Sequence, residues 1–474
     1  MIVIANAFVR RFATWRPQMS TERDGEMDLE YGLDDRPPWP KSVLLGLQHV
    51  AVMIVPATAV AYIVADGVGL APGDTAYIVQ MILLFSGLAT VIQAYTIGPV
   101  GAKLPLVMGT SFTFVGAITT VGAEFGLAAV FGAVLVSGFA VEGAIGWQFD
   151  RVKPFFPPLV TGLVVVVIGL YLIPTGMEYA AGGAGAADFG AAHNVGLAAL
   201  VLAIAVVLNL FTRGVARLLS ILAAIVAGYA VAVPLGMVDF SPIAEASWIA
   251  VPSPTRYGFE FEPIAIVTFA FLFLVSAMET VGDMSGMTAV EGRSPDGEEV
   301  RGALLTDGVV SSLGSIFAVF PVTTFSQNVG IVSFTGVMSR HVVAVSGGIL
   351  ALLGLSPKIG AVVTTIPSAV FGGAVLLMVG MVAASGVRLI VLHTELDRRN
   401  MVIVAVSLGL GLGIATTPEA IRGLPPAART FFGEPVILTA LSALALNTAV
   451  PGEQSPLFDE AALESVTRPG PSDD

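Results

Sequence analysis

Residues 321–340 read PVTTFSQNVGIVSFTGVMSR, and this stretch decides the fold that the sequence predicts. It lies in a region as apolar as a membrane segment, yet hydroxyl and amide side chains crowd the run from Thr323 to Asn328. Such a run is costly against lipid, and Pro321 and the glycines at 330 and 336 weaken a continuous helix. We interpret the stretch as a broken membrane segment that lines a polar cavity. The alternative is that the hydroxyls bond to their own helix and the glycines only allow close packing.

The composition places the chain in the membrane class. Of its 474 residues, 55% are hydrophobic and 12% are charged, which is about half the charged fraction of a soluble domain. The absence of cysteine excludes a disulfide framework, a thiolate nucleophile and a cysteine metal site. The net charge of −13 argues against nucleic acid as a partner. We therefore expect an all-α polytopic protein of the lipid bilayer, with no metal and no resident cofactor.

Apolar runs close to the roughly 20 residues that a bilayer requires predict fourteen transmembrane segments. They lie at 42–64, 76–98, 104–121, 126–147, 158–174, 195–212, 216–236, 263–288, 302–320, 323–339, 341–356, 360–387, 400–416 and 434–450. Residues 1–40 and 451–474 flank these segments as a polar N-terminal segment and a polar C-terminal tail. A cleaved signal is not expected, because the apolar run at Met1–Val9 is short and Arg10-Arg11 has no hydrophobic region behind it.

The distribution of Lys and Arg tests this count, because cytoplasmic loops hold the excess of these residues. With the N-terminus inside, four of the 22 basic residues fall in outer loops, namely Arg256, Lys358, Arg422 and Arg429. One segment too few or too many would assign every later loop to the opposite side of the membrane and remove the bias. The sequence therefore predicts a multi-pass protein of the cell (inner) membrane with both termini in the cytoplasm.

Fourteen segments divide into two halves of seven, and an odd number per half gives the halves opposite orientations. The third segment begins Lys103-Leu104-Pro105 and continues through Gly109–Thr113, and the tenth contains the stretch from Pro321 to Gly336. Each is the third segment of its half. Broken segments in corresponding positions indicate a transporter site at the membrane midplane, with the half-helix N-termini facing one cavity.

Ionisable residues inside the predicted segments mark the same site. Glu279 and Asp283 lie four residues apart in segment eight, on one helical face, and Asp307 lies near the start of segment nine. Gln48 and His49 lie early in segment one. Intramembrane carboxylates are functional by default. The alternatives are a structural Glu279–Asp283 pair bonded to a broken helix, a solvated Asp307 at the membrane edge and a packing role for His49.

These residues carry a family resemblance. Gln327-Asn328-x-Gly330 followed by Thr335-Gly336 resembles the signature of the nucleobase-ascorbate transporters, also called the nucleobase:cation symporter-2 family. Gln48-His49 is similar to a motif in the first segment of that family, and Glu279 with Asp283 is similar to its acidic pattern in segment eight. The resemblance extends from about residue 31 to 450, nearly the whole chain.

The resemblance implies a seven-plus-seven inverted repeat in which a core domain moves against a gate domain in an elevator-like manner. It implies short strands in segments three and ten. The core would comprise residues 41–157 (segments 1–4) and 263–358 (segments 8–11). The gate would comprise residues 158–262 (segments 5–7) and 359–450 (segments 12–14), through which a homodimer would form.

The resemblance also implies a substrate. Bacterial members import uracil, xanthine, urate and related bases together with protons. Gln327 stands where uracil permeases have Glu, and Asp283 where they tend to have His, so the chain is similar to the xanthine and urate permeases. The alternatives are another nucleobase permease, or an anion transporter of the same fold, although Pro321–Ser339 holds no arginine for an anion. A hydrolase is not expected, because the chain has no cysteine, four histidines and no HExxH motif.

The chemistry of the residues agrees with a purine substrate. A carboxylate at Glu279 accepts N–H bonds from the ring edge, and the amide of Gln327 donates to a carbonyl while accepting from its neighbouring N–H. Phe112 stacks on the ring, with ordinary packing as the alternative. The predicted substrate-binding residues are Glu279, Gln327, Phe112, Asn328 and Ser111. Those predicted for proton coupling or support of the site are Asp283, Asp307, His49 and Gln48.

Overall fold

The computed structural model of the chain describes residues 29–148 and 157–451. These residues form a mostly helical protein with one two-stranded sheet. The helices of the first half are α1 (Trp39–Val68), α2 (Pro72–Tyr95), α3 (Val115–Phe125), α4 (Leu127–Ser137), α5 (Gly143–Trp147), α6 (Pro158–Tyr171), α7 (Ile173–Ala180), α8 (Ala192–Phe211), α9 (Val215–Leu218), α10 (Ser220–Ala232) and α11 (Ser241–Glu245).

The second half has helices α12 (Pro263–Thr288), α13 (Gly297–Ser315), α14 (Ser326–Thr335), α15 (Arg340–Gly354), α16 (Pro357–Thr364), α17 (Ser368–His393), α18 (Arg398–Thr416), α19 (Pro426–Phe432) and α20 (Pro435–Ala449). The strands are β1 (Met108–Thr110) and β2 (Val322–Thr324). Short 3-10 turns lie at Phe112–Phe114, Ala289–Glu291 and Pro418–Ile421. A π turn, Gly138–Glu142, joins α4 to α5.

The described part of the chain is that of a multi-pass membrane protein. Eight of its helices are long and apolar enough to cross a membrane, or ten if each of two bent helix pairs counts as one segment. Two further apolar stretches, Phe112–Phe125 and Ser220–Ala232, are shorter. The predicted membrane class is therefore confirmed, while the count of fourteen stays a prediction.

Two predicted segments differ from the helices that form. The segment expected at 360–387 is wrong at its start, because α16 ends at Thr364 and α17 begins at Ser368, after Pro367. Proline has no N–H for the helix ladder and disfavours helical backbone in the residue before it, which explains the break. The segment at 323–339, which the sequence predicted to be broken, consists of the end of β2 and the ten-residue helix α14.

The two strands pair with each other across the two halves of the chain. β1 and β2 are antiparallel, with Met108 opposite Thr324 and Thr110 opposite Val322. The close approach requires glycine at position 109, because a Cβ there would lie 2.2 Å from the ring of Phe325. Each strand leads into a short helix, β1 through the 3-10 turn into α3 and β2 into α14. The sheet thus brings the starts of two half-helices together.

The helices pack in two groups. One group surrounds the sheet and contains α1–α5 and α12–α16, and the other contains α6–α8, α10, α17, α18 and α20. In the first group α2 and α15 approach closely, since a Cβ on Gly347 would lie 2.7 Å from the carbonyl oxygen of Gly87. The boundaries predicted for the core and the gate, and their roles as two moving domains, stay a prediction.

An extended stretch before α1, residues 29–36, runs along the turn between α14 and α15, and we call it the strap. The backbone of Tyr31 donates to the carbonyl of Gly336 at 3.2 Å and accepts from the N–H of Met338 at 2.8 Å. The guanidinium of Arg340 donates to Asp34 at 2.7 Å. The strap therefore holds the end of α14. Residues 1–28 and 452–474, most of the predicted terminal segments, lie outside the described residues.

Candidate functional site

A cavity of about 570 Å³ lies where the two helix groups meet at the half-helix starts. The polar lining residues from the group around the sheet are Thr110, Ser111, Glu279, Asp283, Thr323, Thr324, Ser326 and Gln327. The other group contributes mostly apolar side chains, including Ile168, Met378 and Val382. The volume, and an apolar lining with a few polar groups, are typical of a small-molecule site.

The break in each segment exposes polar backbone to this cavity. The hydroxyl of Ser111 accepts from the N–H of Thr113 at 3.1 Å and caps the 3-10 turn. Phe325 precedes α14 and gives it no side-chain cap, and Ser326 and Gln327 of its first turn line the cavity. The first N–H groups of a helix lack partners within the helix. The start of α14 can therefore donate hydrogen bonds to a bound molecule and favours negative charge.

Glu279 lies on α12 at the centre of the lining. One of its carboxylate oxygens, Oε2, accepts hydrogen bonds from the hydroxyls of Ser111 and Thr113, each at 3.1 Å. Two donors on the start of the other half-helix thus fix one edge of the carboxylate. The residue lines the cavity, so the carboxylate can accept from a substrate N–H.

Asp283 lies one helical turn further along α12 and also lines the cavity. Its Oδ2 accepts from the hydroxyl of Thr324 at 2.7 Å, and Ser326 is a second side-chain donor to the carboxylate. Asp283 is thus linked to segment ten through hydroxyls, because Thr324 and Ser326 flank the junction between β2 and α14.

Asp307 does not line the cavity and is fully buried in α13. The hydroxyl of Thr280 donates to its Oδ2, and the same hydroxyl lies 2.9 Å from that of Thr323, which does line the cavity. The idea that Asp307 is solvated at the membrane edge is wrong, because α13 begins at Gly297, before the predicted 302, and Asp307 lies inside it. Two hydroxyls thus join Asp307 to the cavity.

Gln327 and Phe112 both line the cavity, on α14 and on the 3-10 turn before α3. The side chain of Phe112 is largely buried, at 8% exposure. Two other phenylalanines, Phe325 and Phe334, line the same cavity. Phe112 differs from them by its position beside Ser111, which holds Glu279.

The three other predicted residues lie behind the lining. His49 Nδ1 lies 3.1 Å from Asn328 Oδ1, and neither residue is among those that line the cavity. Gln48 has a buried Oε1 without a hydrogen-bond partner among the described residues. The structure therefore places Asn328 in a support position and brings Glu279, Asp283, Gln327, Phe112 and Ser111 together around one space.

The sequence prediction did not include several residues of this region. Arg217 and Arg388, which the loop assignment placed at the inner surface, line the cavity. Thr280 and Thr323 connect Asp307 to it. An isolated threonine or a loop arginine does not indicate a binding site in a single sequence, because both residue types are common in such segments and loops without a functional role. Only the fold brings them to the cavity.

Broken membrane segments whose half-helix starts and carboxylates face a central cavity define the class of secondary membrane transporters. The chain belongs to the permease family of the nucleobase-ascorbate transporters, whose family model matches residues 40–420. The family predicted from the motifs is therefore confirmed. The protein is a permease and not an enzyme.

Two relatives illustrate the match. The chain is 38% identical to the uric acid permease PucK of Bacillus subtilis over 407 residues. This alignment covers 85% of this chain and 94% of that protein. The chain is 35% identical to the xanthine permease XanQ of Escherichia coli over 450 residues. This alignment covers 92% of this chain and 96% of that protein. Both comparisons extend over most of each chain.

A solved structure shows the same fold at much lower sequence identity. The murine anion transporter Slc26a9 in the inward-facing state matches with a TM-score of 0.62 and 11% identity, over 94% of this chain and 74% of that one. This likeness defines the fold and leaves the substrate open.

Proposed function

We propose that the protein imports an oxidised purine, xanthine or urate, together with a proton. The observation that carries this proposal is the convergence on one cavity of Glu279, inside the long helix α12, and Gln327, in the first turn of the half-helix α14. The relatives named as uric acid and xanthine permeases support the substrate class.

The lining groups suit the edge of an oxopurine. Such a ring alternates N–H donors with carbonyl acceptors. The carboxylate of Glu279 accepts from one or two N–H groups, and the amide of Gln327 pairs with a carbonyl and the adjacent N–H. The free N–H groups at the start of α14 add donors for a second carbonyl. Phe112, beside Ser111, supplies a ring face for stacking.

Protons couple to transport through the acids around this site. Protonation of Glu279 removes one negative charge from the loaded site, and each charge removed lowers the cost of crossing the low-dielectric barrier. Release of the proton on the other side restores the carboxylate. Asp307, joined to the cavity through Thr280 and Thr323, exchanges protons with it. Asp283 keeps α14 in place.

We propose that the protein has fourteen segments in a seven-plus-seven inverted repeat. It lies in the cell (inner) membrane, with both termini in the cytoplasm. The group around the sheet is the substrate-carrying core, and the other group is the gate through which a homodimer forms. The core moves against the gate in an elevator-like manner. The packing of the helices in two groups that meet at the cavity supports this division.

The test also distinguishes two other substrate classes, neutral nucleobases such as uracil and inorganic anions. Arg217 and Arg388 in the lining favour an anionic substrate, which urate satisfies and a neutral base such as uracil does not. The experiment measures radiolabelled xanthine uptake into proteoliposomes with an imposed pH step, and competition by urate, uracil, guanine, hypoxanthine, ascorbate and inorganic anions. Competition by xanthine and urate alone supports the proposal. Competition by uracil alone, or by inorganic anions alone, contradicts it.

A further inference from the structure

Glu142 is a buried acid to which the proposed function gives no role. It ends the π turn Gly138–Glu142, and its side chain has 0% exposure. Neither carboxylate oxygen has a hydrogen-bond partner among the described residues, and Ser276 of α12 faces it without a hydrogen bond of ordinary geometry. A buried carboxylate without donors is strongly unfavourable in its charged form. The buried carboxyl group of Glu142 therefore holds a proton.

The position of Glu142 puts that proton against α13, next to the residue that follows Asp307. The π turn packs against α13. Gly308 follows Asp307 in α13, and a Cβ on Gly308 would lie 3.0 Å from the Cβ of Glu142 and 2.5 Å from the carbonyl oxygen of Gly138. The missing side chain at Gly308 therefore permits the contact between the two elements.

The charges around Glu142 are the acids of the site. Glu142 interacts electrostatically with Asp307 of α13 and Glu279 of α12. The basic residue nearer the start of α13, Arg301, stacks its guanidinium 3.7 Å from the ring centroid of Trp147 and forms no ion pair with a described acid. Neighbouring carboxylates in a low-dielectric setting cannot all ionise together. Protons are therefore shared among these acids.

A route connects this cluster to the cavity. The hydroxyl of Thr323 faces the hydroxyl of Thr280, which donates to Oδ2 of Asp307. The second oxygen, Asp307 Oδ1, has no hydrogen-bond partner among the described residues and is free to exchange a proton. π turns are also frequent at functional sites.

We propose that Glu142 stores the coupling proton and exchanges it with Asp307 during transport. In the transfer the O–H bond of the Glu142 carboxyl group breaks and an O–H bond forms on the Asp307 carboxylate. In the reverse step Asp307 ends ionised and keeps the hydrogen bond from Thr280. The proton is the only species that moves, so charge balances within the pair. This inference rests on the proposed proton symport and adds a second proton-holding residue to it.

The test uses the full-length protein in proteoliposomes that contain a pH-sensitive dye, with radiolabelled xanthine as substrate. Proton flux and xanthine flux are measured together for the wild type, Glu142→Gln and Glu434→Gln. Glu434 is the matched control, because it is also buried, also has an oxygen without a partner among the described residues, and lies at the start of α20, in the other helix group.

In Glu142→Gln the number of protons carried per xanthine is expected to fall to about a tenth of the wild-type value or less, because the proton store is gone. Exchange of xanthine and its affinity are expected to stay within about twofold of wild type, since Glu142 does not line the cavity. Glu434→Gln is expected to keep its proton flux. A wild-type proton count in Glu142→Gln, or an equal loss of exchange and proton flux, overturns the inference.

A wild type that carries xanthine without protons contradicts the proposed symport itself, so the two failures are distinguishable. If Glu142→Gln does not fold, labelling of the wild type replaces it. Dicyclohexylcarbodiimide, which reacts with protonated carboxyl groups in apolar surroundings, is expected to modify Glu142 as detected by mass spectrometry. Absence of that modification in folded protein overturns the inference.

Discussion

The ring nitrogen Nδ1 of His49 lies 3.1 Å from the side-chain oxygen of Asn328, so α1 is tied directly to the half-helix α14. Both side chains are buried, and neither lines the cavity. With the Asn328 oxygen as acceptor, Nδ1 of His49 is the donor. Since Gln327 immediately precedes Asn328 in α14, this hydrogen bond fixes the part of the helix from which Gln327 lines the cavity.

Replacing His49 tests this link. His49→Leu removes the donor and leaves the Asn328 oxygen buried and unpaired, at a cost of about 1–3 kcal/mol in the free energy of unfolding. His49→Asn supplies an amide donor near the position of Nδ1 and is expected to recover much of the loss. Thermal unfolding in detergent and xanthine affinity are the measurements. Equal behaviour of the Leu and Asn variants contradicts the role of the hydrogen bond.

Gln327→Glu tests recognition of the base. An ionised carboxylate only accepts hydrogen bonds, so a purine carbonyl loses its donor and a buried polar group is left unmet, at about 1–3 kcal/mol. Affinity for xanthine and urate is expected to fall about tenfold to a hundredfold. Uptake is compared at equal amounts of folded protein, assessed by size-exclusion chromatography. Unchanged uptake of both purines shows that Gln327 does not contact the base.

Substitutions of Phe112 distinguish a stacking role from a packing role. Phe112→Tyr keeps an aromatic face and is expected to preserve binding, whereas Phe112→Leu loses the face and is expected to weaken binding by about 1 kcal/mol or more. Phe334→Leu makes the same change elsewhere in the cavity lining and is expected to have a smaller effect. If the Leu and Tyr variants of Phe112 bind equally well, the residue only packs.

Glu279→Gln is a permanent mimic of the protonated acid. The variant is expected to exchange xanthine across the membrane but not to accumulate it when the outside is made acidic, because the site cannot release a proton inside. Asp283→Asn is the comparison. It weakens the hydrogen bonds from Thr324 and Ser326 that position α14, so affinity is expected to fall while the remaining uptake stays proton-dependent. Uphill uptake by Glu279→Gln after a pH step removes Glu279 from the proton path.

Two adjacent glycines of α15 give a matched test of helix packing. A Cβ on Gly347 would meet the backbone oxygen of Gly87 at 2.7 Å, whereas a Cβ on Gly348 would meet no atom within 4 Å. Gly347→Ala is therefore expected to lower the stability by about 1–3 kcal/mol, and Gly348→Ala to leave it unchanged or raise it slightly. The measurement is thermal unfolding in detergent. Equal melting temperatures contradict the close α2–α15 contact.

The sequence predicted the parts of this site that are costly in a membrane. Glu279 and Asp283 stand out because carboxylates are rare in apolar segments, and Gln327 stands out because amides are rare beside prolines and glycines there. Their meeting at one cavity follows from the paired broken segments. The family resemblance rests on the motifs that contain these residues, and the membrane class rests on the composition.

Other features depend on contacts that no single sequence reveals. The burial of Asp307 could not be predicted, since α13 starts five residues earlier than the hydropathy pattern indicated; its first turn carries Glu298 and Glu299, which lower the hydropathy there. The support role of Asn328 depends on its partner in α1. Glu142 also lies in a predicted apolar segment, but its packing against Gly308, the residue after Asp307, depends on the fold.

The pairing of β1 with β2 has a consequence for biosynthesis. β1 enters the bilayer with the first half of the nascent chain, and β2 follows only after α12 and α13 have been made. Until then the backbone groups of Met108–Thr110 have no strand partner in apolar surroundings, a costly state. The ribosome must therefore deliver both halves before the binding site exists, and a prematurely terminated chain displays an open strand edge that can pair with another chain.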